Sequence, residues 1–102
     1  MEKFYRGMAR SHWEEVQCLG YLPVNESGRL YFTTDIYLAR WYARYWTEIN
    51  HESGSGVVVS LPFSAIDAGK IRPDEYGFSG GGRTEFYFIG RRIPVDEVDK
   101  IK

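Results

Sequence analysis

The clearest hydrophobic pattern in this chain lies in Leu30–Ala43, LYFTTDIYLARWYA, where an apolar and aromatic run passes directly into a helical repeat. Leu30-Tyr31-Phe32 predicts a buried strand. Asp35 then stands where a carboxylate can accept from the free N–H groups of a first helical turn, so it is the expected N-cap. The helix is predicted from Ile36 to about Ile49. Leu38, Ala39, Tyr42, Ala43, Trp46 and Ile49 recur at three- and four-residue spacings and make one apolar face. Trp41 and Tyr45 widen that face beyond what a core alone demands.

Other segments are read relative to this joint. Lys3–Met8 (KFYRGM) predicts a first strand with an arginine in its middle and a glycine that permits close approach to the backbone. Ser11-His12-Trp13-Glu14 has the spacing of a capping box, which starts a short helix at His12; Gly20 is its expected left-handed cap after Leu19. Tyr21–Gly28 reads as a loop and residues 50–56 as a surface turn. Val57–Leu61, β-branched and apolar, predicts a central strand. Pro62–Gly69 reads as a turn with a brief helical piece, and Lys70-Ile71-Arg72 as a short edge strand. Asp74–Gly82 is a glycine-dense loop presenting Tyr76 and Phe78. Thr84–Ile89 predicts a further strand, and residues 90–101 a last short element.

At 102 residues the chain is expected to form one domain, 1–102, with a single core. Aromatic residues make up 17%, enough to supply both a core and a flat binding surface. The formal charge of −1 offers no global attraction to nucleic acid or anionic membrane, which makes a nucleic-acid partner the weaker expectation. Arg83, Arg91 and Arg92 are the one dense basic cluster near a candidate site. Cys18 is alone, which excludes an internal disulfide and a cysteine-based metal site and suits a reducing compartment. With neither a signal-peptide pattern nor an apolar run approaching a membrane span, a cytoplasmic location without membrane association is expected; a monomer is the separate expectation for its assembly.

Three polar positions stand where a purely structural reading prefers apolar ones: Arg6 in the first strand, Thr33-Thr34 at the end of the second, and Glu85 opening a late strand. Their order, from FYRGM through LYFTTDIYLARWYA to TEFYFIGRRIP, resembles the ADP-ribosyltransferase superfamily. The resemblance implies an α+β fold of two small packed β-sheets with a cleft between them and two short helices. It also implies cleavage of NAD⁺, as substrate, at the nicotinamide–ribose bond and transfer of ADP-ribose to a nucleophile without a metal.

By the same resemblance Arg6 anchors the dinucleotide, and the Gly7 backbone holds the nicotinamide amide. Thr33 matches the first residue of the family's Ser-Thr-Ser element and orients the catalytic glutamate, Glu85, while Thr34 beside it is expected to help bind the dinucleotide. Tyr31 and Tyr42, eleven residues apart, match the pair that sandwiches nicotinamide. Independent chemistry agrees for two of these. A guanidinium fork can pair two oxygens at once, and a fixed carboxylate can face an oxocarbenium-like ribose. Capping alone also explains Thr-Thr-Asp before a helix. Where the arginine-type branch carries Glu or Gln two residues before the catalytic glutamate, this chain has Arg83, which with Tyr76 and Phe78 forms the expected acceptor-facing loop and leaves a carboxylate, a phosphate or a nucleobase open as what it meets.

The expected function is therefore transfer of ADP-ribose to a macromolecule, a host or target protein, of the kind made by a toxin or a phage or mobile-element effector. The rival is a catalytically inactive module of the same fold that grips and inhibits a protein partner. A transferase directed at RNA is a third reading, opposed by the lack of a basic face.

Overall fold

Two antiparallel sheets and two α-helices make an α+β fold; the computed structural model describes residues 2–74, 85–90 and 92–101. The strands are β1 (Lys3–Met8), β2 (Tyr21–Leu22), β3 (Leu30–Thr33), β4 (Val57–Pro62), β5 (Ile71–Pro73), β6 (Glu85–Phe88), β7 (Ile93–Pro94) and β8 (Asp99–Ile101). The helices are α1 (Arg10–Leu19) and α2 (Ile36–Ile49), and short 3₁₀ turns join several of the later strands. Six strands form the large sheet in the order β5-β6-β3-β1-β4-β8, while β2 and β7 form a separate pair.

Alternation along β1 divides the molecule into two layers. Phe4 and Met8 point to the main core, with Phe32 of β3, Val57, Val59 and Leu61 of β4, Trp13 and Val16 of α1, and Leu22 and Ile93 of the small sheet. Tyr5 and Gly7 point the other way, toward α2, where Ala39 and Ala43 pack with Val58. Val57–Leu61 is flanked on both sides, by β1 and β8, as a strand this apolar should be.

The two helices are started differently. Asp35 caps α2 as expected, its side chain accepting from the N–H groups of Tyr37 at 2.9 Å and Leu38 at 3.4 Å. The capping box expected at Ser11 does not form. α1 begins earlier, at Arg10, with Ala9 in the N-cap position and no side-chain cap. Ser11 lies inside the first turn, where its backbone N–H donates to the Glu52 carboxylate at 3.1 Å and its hydroxyl donates to the other oxygen of that group. A residue from the turn after α2 thus serves donors that a local cap would otherwise serve. Gly20 closes α1 in the left-handed conformation expected of it.

The buried face of α2 also differs from its spacing-based reading. Ala39, Ala43 and Thr47 are its buried residues, whereas Trp46 and Ile49 remain nearly half exposed. The cause is the closeness of the helix to β1. A Cβ on Gly7 would stand 1.8 Å from the Ala39 carbonyl oxygen and 2.7 Å from the Ala43 nitrogen. At that range only small side chains fit beneath the helix, and the large rings are displaced to its flanks. Within Tyr21–Gly28, read as a loop, Tyr21 and Leu22 pair with Pro94 and Ile93. Among the described residues no helix is long and apolar enough to cross a membrane.

Candidate active site

Every pair of neighbouring strands in the large sheet is joined by three or more register positions except β1 and β3, which meet at one, Tyr5 opposite Thr33. Beyond that position the strands part, and α2 covers the opening from one side. The resulting cleft has a volume of about 430 Å³ and is lined by Tyr5, Arg6, Gly7, Asn25, Tyr31, Phe32, Thr33, Tyr42, Trp46, Asp74 and Glu85. That size and mixed lining are typical of a small-molecule site. A second cavity of about 320 Å³ adjoins it, lined by Met8, Ala9, His12 and Asn50 and sharing Arg6, Gly7 and Trp46 with the first.

Arg6 sits at the parting of the strands. By alternation it belongs with Phe4 and Met8 on the core face, where an unpaired guanidinium is costly. One nitrogen, Nη1, donates to the Tyr31 carbonyl oxygen at 3.0 Å, a group the missing β1–β3 ladder leaves without its usual strand partner. Burial pulls the Arg6 pKa down to about 10. Its Nε is shut off from solvent with no hydrogen-bond partner among the described residues, as is Nε2 of His12 beside it. Burial, then the positive charge of Arg6, lowers the His12 pKa, with Glu15 opposing more weakly.

Glu85 lies opposite Thr33 on β6 and is 4% exposed. The Tyr42 hydroxyl donates to its Oε1, so a residue of α2 fixes the carboxylate across the cleft. Thr33 lines the same wall, but its hydroxyl accepts from the Asp35 N–H at 3.0 Å, a turn-forming bond that leads into the cap of α2. Tyr31 faces Tyr87 at 5.9 Å between ring centres, and the Arg29 guanidinium lies 4.3 Å over the Tyr87 ring. A side-chain hydrogen bond with Tyr31 raises the Arg29 pKa, with smaller contributions from Tyr87 and Asp74.

Six sequence-selected residues, Arg6, Gly7, Tyr31, Thr33, Tyr42 and Glu85, therefore meet at one cleft from positions spread over the chain. Thr34 is absent from the lining. Tyr76, Phe78, Arg83 and Arg91 lie outside the described residues. At Gly7 of β1, α2 occupies the space a side chain would take, and the glycine backbone borders both cavities.

Five lining residues are not among the sequence-selected ones: Phe32, which reads as strand core, and Tyr5, Asn25, Trp46 and Asp74. Trp46 was assigned to an apolar helix face, and Tyr5, Asn25 and Asp74 sit in a strand or loop where only the register reveals their direction. Among the described residues there is no group of three His, Cys, Asp or Glu that could hold a metal ion. Comparisons with protein-family models, with curated proteins and with solved structures find no match for this chain.

Proposed function

We propose that this chain is an NAD⁺-dependent mono-ADP-ribosyltransferase that cleaves the nicotinamide–ribose bond and passes ADP-ribose to a macromolecule, in keeping with the effector reading of its sequence. The observation that carries this is the buried Glu85 carboxylate, held by the Tyr42 hydroxyl in the cleft that also holds Arg6 and Tyr31.

The residues present suit such a substrate. Arg6 offers a cationic fork at the junction of two adjoining cavities, and its Nε is a donor lacking an acceptor among the described residues. Tyr31 and Tyr42 offer flat faces to a planar, cationic ring. As the glycosidic bond breaks, its electron pair leaves with nicotinamide and positive charge develops on the ribose. A carboxylate already oriented by a hydrogen bond stabilises that charge without reorganising, which is where electrostatic catalysis is most effective. Tyr42 would thus both flank the ring and hold Glu85.

The test is incubation of the protein with labelled NAD⁺ and candidate target lysate, alongside Glu85→Gln and Arg6→Ala. Nicotinamide release and protein labelling that disappear in Glu85→Gln support the enzyme. Full biological effect in Glu85→Gln would instead favour an inactive binding module that inhibits a protein partner. One observation favours that second reading: Tyr37, Trp41, Tyr45 and Ile49 leave much of the outer face of α2 apolar and exposed.

A further inference from the structure

We infer that Asp74 is the base that takes the proton from the incoming acceptor. The inference rests on the transferase reading above and adds to it a class of acceptor: one whose nucleophilic atom carries a hydrogen, a hydroxyl or an N–H group, rather than a carboxylate.

The register of β5 against β6 places this residue. Pro73 pairs with Phe86, and the next pair along is Asp74 with Glu85, joined by the Asp74 N–H donating to the Glu85 carbonyl at 2.8 Å. Residues directly opposite in an antiparallel pair share a face, with Cβ atoms about 5 Å apart. Both side chains accordingly line the same cleft.

Their surroundings differ, and unequal environments are how paired carboxylates come to do separate tasks. Glu85 is enclosed and held by Tyr42. Asp74 is only half-buried, just beyond the end of an edge strand, and its charge is felt by the exposed Arg29.

Elimination among the described lining residues leads to the same place. The phenols of Tyr5, Tyr31 and Tyr42 and the guanidinium of Arg6 present hydrogen-bond donors, and the Asn25 amide is no base. His12 borders the adjoining cavity and not this one. Glu85 faces the charge on the ribose. In the balanced step, a bond forms between ribose C1′ and the acceptor oxygen or nitrogen as the bond from C1′ to nicotinamide breaks. Nicotinamide leaves neutral with the electron pair, and the acceptor proton passes to an Asp74 oxygen and then to water.

The experiment measures nicotinamide release from NAD⁺ by the full chain, with water or with added sodium azide as acceptor, for wild type, Asp74→Asn, Asp74→Ser and Asp74→Glu. Azide needs no deprotonation. The expected result is a roughly 100-fold loss with water in Asp74→Asn, at unchanged KM for NAD⁺, with azide restoring most of the rate. Asp74→Glu should keep much of the water reaction, and Asp74→Ser should repeat the azide rescue. Wild-type rates in Asp74→Asn, or an equal loss with azide as with water, would overturn the role of Asp74 while leaving the enzyme intact. No release from wild type with either acceptor removes the transferase reading itself, and this assignment with it.

Discussion

Replacing Gly7 by alanine tests the seating of α2 on β1. The added methyl would lie 1.8 Å from the Ala39 carbonyl oxygen, where Cβ contacts under 3.0 Å essentially never occur, so helix and strand must separate by at least 1.2 Å locally. Both partners are backbone, so no side chain can rotate away to relieve the clash. Overpacking of this kind costs about 1–3 kcal/mol and occasionally more, and here the upper end, about 3 kcal/mol, is expected. For a chain of this length that corresponds to a fall in Tm of roughly 12–24 °C. The same shift carries Tyr42 away from Glu85, so ligand binding at the cleft should weaken together with stability. Gly54→Ala is the control: its φ is 89°, yet nothing lies within 4 Å of the added carbon, so it should cost only the left-handed backbone penalty, about 1–2 kcal/mol. Thermal melts and urea titrations of the three proteins decide the matter. A Gly7→Ala protein that melts no lower than Gly54→Ala would refute the close seating of the helix.

Further substitutions separate stability from binding. Tyr42→Phe removes the hydroxyl that donates to Glu85 and should cost about 1–2 kcal/mol by urea denaturation; NAD⁺ cleavage should fall more than that loss of stability can explain. Arg6→Met exchanges a buried charge for an apolar chain of similar length. Because burial already works against that charge, stability should stay within about 1 kcal/mol of wild type or rise, while NAD⁺ affinity measured by tyrosine or tryptophan fluorescence drops at least tenfold. His12 supplies a pH signature. Its folded pKa lies below the ordinary 6.5, so the unfolded chain binds the proton more readily. The associated stability is present above pH 6.5 and is lost as pH falls through the folded value. His12→Gln should therefore flatten the decline in Tm between pH 7 and the mildly acidic range; an unchanged slope would show that His12 does not contribute to it.

The parts of the fold legible in the sequence are those decided by neighbours in the chain. Asp35 reaches N–H groups two and three residues on, and Gly20 adopts a conformation its own lack of a side chain permits, so both caps could be read directly. Ser11 carried an equally good local pattern, but its donors are taken by Glu52, 41 residues away, and no local pattern reveals such a competitor. The α2 face was misread for a related reason. Spacing identifies apolar positions, but the depth to which they sink is set by Gly7 and by Gly56, whose Cβ would meet the Met8 and Ala43 carbonyl oxygens at 2.6 Å. In the cleft, Arg6 and Glu85 were conspicuous because charge in a strand needs a reason. Asp74 was not, because a polar residue at the edge of a glycine-rich loop looks ordinary until the β5–β6 register sets it beside Glu85.

The single rung between β1 and β3 makes the large sheet mechanically two plates on a hinge. One plate, β1-β4-β8, carries Arg6 and Gly7; the other, β5-β6-β3, carries Tyr31, Thr33, Asp74 at its margin and Glu85. Few backbone bonds join the two plates, and side chains tie them instead: Arg6 to the Tyr31 carbonyl, and Tyr42 of α2 to Glu85. A molecule that touches both plates takes the place of the rungs the backbone lacks. Stiffness of the sheet and occupancy of the cleft would then rise and fall together, and each could be measured through the other.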